Sequence, residues 1–328
     1  MKQKMNIKKS KIIFSLLCFI TLCAALSCNT DEAEVDASGT IVKVQSANFI
    51  SDGLAEPISV VSRTLSNGST VECYKIVARG IPTDHNMGPW CPSNITDNAS
   101  AGGIWLENGN VYDVDGAFVK NLANFYSDKT WMLYNATTGV ITKTKTQAEC
   151  QAAANPNVGA EYKNFCVECL PSYVANLTQT YYIPVTPVKL TSTTSFGNGP
   201  MSSGPSVRGL AFNGVRFDAP APVNAILSAY TLAPFDDAGG HINLAAGYHY
   251  HAATGISKKI AQTDGHSAMI GYAMDGHGLY ERLDASGKEY TDLDACRGHS
   301  DDTRGYHYHV DKAGSNNFIN CLKGAYAN

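Results

Sequence analysis

The tetrapeptide Tyr-His-Tyr-His stands at residues 248–251 and again at 306–309, each time after a glycine, in a chain of 328 residues with nine histidines. Strict alternation of two residue types describes an extended strand, where successive side chains point to opposite faces. His249 and His251 therefore share one face and Tyr248 and Tyr250 the other. The second copy does the same with His307 and His309 against Tyr306 and Tyr308. If the two strands are close neighbours with matching faces, four imidazoles converge within side-chain reach.

Eight of the nine histidines follow residue 240. Neutral imidazole is the commonest protein ligand for metals, and an all-nitrogen set suits zinc, copper or nickel better than magnesium or calcium. The alternation also suits a half-solvated edge strand without metal, but the second copy and the local excess of histidine favour a metal site. Its candidate ligands are His249, His251, His307 and His309. His241, seven residues before the first copy, and Asp275, in the turn Gly-Tyr-Ala-Met-Asp-Gly, are further candidates. His266, His277 and His299 are each single and read as loop residues. His85 can join only through the fold.

The N-terminus reads as a leader. Five lysines precede an apolar run over 12–26, too short for a spanning helix of roughly 20 apolar residues. The run ends in Ala-Leu-Ser-Cys28, which resembles a bacterial lipoprotein signal (residues 1–27) with Cys28 as the lipidated mature N-terminus. An acidic tether over 28–40 would follow. The expected location is the bacterial cell envelope, anchored to the membrane by lipid. Without the leader, 20 basic residues face 29 acidic ones with no basic cluster, which argues against nucleic acid as a partner.

Seven cysteines remain beyond Cys28: Cys73, Cys91, Cys150, Cys166, Cys169, Cys296 and Cys321. In an exported protein they are expected mostly as disulfides, and an odd number leaves at least one unpaired within the chain. Cys166 and Cys169 have CxxC spacing without a βαβ context, so a local disulfide with Cys150 is the simpler expectation.

With 44% hydrophobic and 16% charged residues, the chain has ample material for a core. The pattern predicts a mostly β, antiparallel, sandwich-like fold. An N-terminal β-rich part spans 41–204, with a short helical, cysteine-containing insertion at about 146–176, and a second part spans 205–328. Hairpins are expected in Gly-Gly-Ile-Trp-Leu-Glu-Asn-Gly-Asn-Val-Tyr-Asp-Val-Asp-Gly and in Thr-Trp-Met-Leu-Tyr-Asn-Ala-Thr-Thr-Gly-Val-Ile-Thr-Lys-Thr. A short helix is expected near 222–233. The repeated strand is the only internal repeat and is too short to imply duplication. Asp113-Val-Asp115 and Asp292-Leu-Asp294 lack the full oxygen series of a calcium loop and read as turn residues. No GxSxG, GxGxxG or P-loop occurs.

The ordered motifs Gly80-Ile-Pro-Thr-Asp-His85, Gly209-Leu-Ala-Phe-Asn-Gly-Val-Arg-Phe-Asp218, Gly240-His241, the two Gly-Tyr-His-Tyr-His strands, Ile270-Gly-Tyr-Ala-Met-Asp-Gly276 and Asp292-Leu-Asp-Ala-Cys296 resemble the YHYH-domain proteins. The motifs are dense from about 205 to 324. His277-Gly278-Leu279-Tyr280 and Arg297-Gly298-His299 depart from the family's usual continuations, and each adds a histidine beside the suspected site. The resemblance implies that Cys296 pairs with Cys321, and it locates the site without implying an activity. Three functions fit: an exported protein holding zinc or copper on its histidines; a zinc-type hydrolase with Asp275 as base; or a metal-free surface for a glycan, peptide or small molecule.

Overall fold

The computed structural model describes residues 39–155, 157–196 and 204–327. The leader, Cys28 and nearly all of the tether lie outside them. Among the described residues no helix is long and apolar enough to cross a membrane.

Eight short strands form the main sheet: β1 Gly209–Ala211, β2 Arg216–Phe217, β3 Gly240–Asn243, β4 Gly247–Tyr250, β5 Met269–Ala273, β6 Gly278–Tyr280, β7 Gly298–Asp301 and β8 Gly305–His309. Asn213-Gly214 turns β1 into β2, and Asp275-Gly276 turns β5 into β6. Both glycines have positive φ, which such tight hairpin turns require and which costs glycine least. Across the sheet the order is β3-β4-β2-β1-β5-β6-β8-β7. β1 and β5 pair antiparallel at the centre, Gly271 opposite Ala211.

Each half of the sheet repeats one plan outward from that central pair. A hairpin (β1–β2 or β5–β6) is followed by a parallel step onto a second hairpin (β4–β3 or β8–β7). The parallel steps put Phe217 opposite Tyr250 and Leu279 opposite Tyr308. In the outer hairpins His241 faces His249, and His299 faces His307. Asp236, Gly240, His241 and Gly247–His251 recur as Asp294, Gly298, His299 and Gly305–His309 at a constant offset, without insertion or deletion. The domain is therefore internally duplicated, which corrects the expectation that the repeat ended with the strand itself. Side chains around the shared positions differ enough to hide this in the sequence: Ala238 corresponds to Cys296, and Gly239 to Arg297.

The remaining chain is mostly β as expected, with antiparallel sheets. Ser59–Thr64, Thr70–Arg79 and Thr178–Pro184 form a three-stranded antiparallel sheet, and Ile104–Glu107 with Asn110–Asp113 makes the expected hairpin. The second expected hairpin has only isolated bridges, such as Tyr134 to Ile141. A helix over Gly116–Phe125 was not foreseen. Asp115 caps it by accepting from the Phe118 N–H, and Val119 and Leu122 supply its buried side, the i, i+3 spacing of a helix face. Helices Gln147–Ala153, with a Thr146/Glu149 capping box, and Val223–Ser228 lie where short helices were expected.

One core runs from Val44 to Tyr326 and includes Tyr248, Tyr250 and Tyr308, so the tyrosine face of the repeated strands is the packed one. Residues Asp36–Asn328 constitute one unit. Three disulfides staple it: Cys91–Cys166, Cys150–Cys169 and Cys296–Cys321. Among the described residues Cys73 is the unpaired cysteine, and it is buried.

Candidate metal centres

The histidines form two separate groups. Strands β4 and β8 are held apart in the sheet by β2, β1, β5 and β6, so their imidazoles do not converge on one site. This corrects the expected pooling of His249, His251, His307 and His309. Each outer hairpin builds its own centre: His241, His249 and His251 in the first, and His266, His299, His307 and His309 in the second.

The backbone sets both centres in the same way. A loop after Asp236 or Asp294 brings the next histidine into register. Asp236 Oδ1 accepts from the N–H groups of Ala238 and Gly240, and Asp294 Oδ1 from those of Cys296 and Gly298. The same carboxylates accept from the first tyrosine of each repeat, Tyr248 at 2.8 Å and Tyr306 at 3.1 Å. The glycine before each repeat has positive φ, and its carbonyl accepts from a ring nitrogen: His249 Nδ1 to Gly247 O at 3.0 Å and His307 Nδ1 to Gly305 O at 2.8 Å. A carbonyl can only accept, so Nδ1 carries the proton and Nε2 is left with a free lone pair.

In the second centre this logic extends to every ring. Nδ1 of His266 faces Ser267 O at 3.1 Å, that of His309 faces Glu281 O at 2.9 Å, and that of His299 faces the Asp292 carboxylate at 2.9 Å. Four Nε2 atoms thus point inward. His307 Nε2 lies 3.0 Å from those of both His266 and His299, and His309 Nε2 lies 3.1 Å from that of His299. Unprotonated nitrogens at that spacing repel one another unless a cation sits among them. An ion held tetrahedrally at about 2.0–2.1 Å from each nitrogen sets the nitrogens about 3.3 Å apart, close to these three separations. The carboxylate behind His299 is the usual outer partner of a metal-bound histidine. His307 and His309 are fully buried, and burial holds His307 down to about 3 and His309 down to about 2, so both rings stay neutral. Tyr290 packs against the group, its ring 4.0 Å from that of His309.

The first centre has three histidines and an open side. Burial also pushes His241, His249 and His251 below the usual histidine value, which keeps them neutral. His251 is 5% exposed, and its Nδ1 is buried without a hydrogen-bond partner. Such an orphan costs about 1–3 kcal/mol unless something bonds to it, and a cation in the group removes that cost. All three rings line a cavity of about 280 Å³, together with Trp90, Pro222, Ile226 and Ala229. Asp218 enters the same cavity, its Oδ2 3.9 Å from His249 Nε2. Arg216 pairs with Asp218, and the Ala219 N–H fixes its other oxygen at 2.8 Å.

Several expected roles change. Asp275 belongs to neither group: it is fully buried on the tyrosine side, where Oδ2 accepts from Tyr308 O–H at 2.6 Å and from Gly324 N–H at 2.9 Å. That excludes it as ligand or base. Asn213 holds the equivalent place in the first half, donating to Tyr250 Oη at 2.8 Å. His277 donates to Tyr306 O, and His85 contacts Asp84 and Tyr248, so both stand apart from the centres. His266 and His299, first read as loop residues, are ligand candidates. The signal for His299 was present, because Gly298-His299 precedes its repeat by the same seven residues that separate His241 from Tyr248. Asp218 gave no such signal.

Residues 180–292 match the model of the family described as YHYH protein. The chain carries a YHYH domain. The match takes in the first half of the duplicated sheet and the β5–β6 hairpin and stops before His299, so the second YHYH strand lies beyond it. No curated protein and no solved structure matches the chain.

Proposed function

We propose that this YHYH protein is an exported metalloprotein whose duplicated sheet holds two transition-metal ions, zinc or copper, one per half. The observation that carries this reading is the inward convergence of four Nε2 atoms whose Nδ1 partners are all acceptors. Removal of the leader at Cys28 and lipidation of that residue would place the domain at the membrane surface of a bacterial envelope, which agrees with the disulfides of the folded unit. The acidic balance gives it no affinity for nucleic acid.

Elemental analysis after loading with zinc or copper tests the reading. Two equivalents per chain are expected, falling to one in His249→Ala/His251→Ala. Metal well below one equivalent after loading would overturn it and leave the cavity as a metal-free binding surface.

A further inference from the structure

Although built on one plan, the two centres differ in the feature that separates structural from reactive metal sites. Four protein nitrogens saturate a tetrahedral ion, whereas three leave a position for water or substrate. The second centre supplies four, and Tyr290 packs against it. In the first, the described residues supply three, and the rings face the 280 Å³ cavity. The cavity wall is largely apolar, with Trp90, Pro222, Ile226, Ala229 and Ala233. The one carboxylate among its lining residues, Asp218, sits 3.9 Å from His249 Nε2 and is held in place by Arg216 and the Ala219 N–H.

We propose that the four-histidine centre is structural and the three-histidine centre is a hydrolytic site for short, uncharged carboxylic esters, with Asp218 as its base. This rests on the metal reading above. A water at the open position is acidified by the ion. Asp218 receives one proton from it as the water oxygen bonds to the ester carbonyl carbon. The bond from that carbon to the alcohol oxygen then breaks, and Asp218 returns the proton to the departing alkoxide. The products are a carboxylic acid and an alcohol, with no other reactant consumed. The wall selects a short apolar acyl chain, because it offers little to pair with a charged one.

The experiment has two arms on the full chain. Zinc-loaded protein is assayed with 4-nitrophenyl butyrate. We expect loss of about 100-fold or more in His241→Ala and about 10-fold or more in Asp218→Asn, each larger than any loss that follows His299→Ala. Cobalt-loaded protein is titrated with azide, which enters an open coordination position and shifts the visible spectrum. One of the two ions is expected to respond in the unmutated chain, and that response should vanish in His241→Ala. The azide titration decides the matter even where a variant fails to fold. Response of both ions or of neither, or turnover that follows His299 rather than His241, overturns the assignment. Two bound ions without turnover or azide response would overturn only this proposal, whereas failure to bind any ion would overturn the metal reading with it.

Discussion

The clearest stability prediction concerns Cys296–Cys321. Cys296 lies in the loop between Asp294 and Gly298 that sets His299, whereas its counterpart in the first half, Ala238, has no bridge. Replacing both cysteines with alanine therefore gives the second half the chemistry of the first at this point. The bridge closes a loop with a sequence separation of 25. In the chain-entropy account, a loop of that length restricts the unfolded state by about 3.5 kcal/mol. For a unit approaching 300 residues this corresponds to a fall in melting temperature of about 6 °C. The assay is thermal or denaturant unfolding of the double variant under non-reducing conditions, together with metal titration of each centre. We expect the loss in stability, and weaker metal binding at the four-histidine centre with the three-histidine centre unchanged. An unaltered melting temperature, or equal weakening of both centres, would refute the reasoning.

Further predictions follow from individual contacts. Gly305 has positive φ, and a Cβ there would lie 2.1 Å from the Thr40 carbonyl oxygen. Gly305→Ala should therefore destabilise the unit by more than about 1 kcal/mol, measurable as a lower denaturation midpoint. Asp292→Asn weakens the acceptor behind His299 and should lower metal affinity at that centre about 10–100-fold in a chelator competition, with the other centre unaffected. Burial alone would raise the Asp84 carboxyl, but hydrogen bonds from His85, Asn213 and the Lys258 N–H outweigh it and hold it down at about 2. A depressed carboxylate stabilises the fold above its unfolded value near 4, and that contribution, about 2 kcal/mol, is lost as pH falls from 4 toward 2. Asp84→Asn should flatten that part of the stability–pH curve.

Alternation in Tyr-His-Tyr-His was enough to put each pair of histidines on one face, and the mostly β class followed from β-branched runs punctuated by turns. The Asn213-Gly214 turn was likewise readable, because its backbone demand falls on residues adjacent in sequence. Strand order was not. Nothing local to residues 247–251 or 305–309 says that four other strands separate them, so one pooled site looked plausible. His266 reaches His307 only through tertiary packing, and its own neighbours carry no periodic signal. Asp275 misled because an aspartate beside a histidine-rich segment resembles a ligand. Its true partner, the Tyr308 hydroxyl, depends on the parallel pairing of β6 with β8. The helix over Gly116–Phe125 was obscured by the preceding hairpin and by Asp113 and Asp115, which suggested a turn; Asp115 proved to be its cap.

The number of ions and their assignment to histidines test the account most directly. Zinc-loaded protein should carry two equivalents, falling to one in His241→Ala/His249→Ala and separately to one in His299→Ala/His307→Ala, with neither pair affecting the other's ion. A single equivalent lost equally in both variants would mean one shared centre and would contradict the duplicated arrangement.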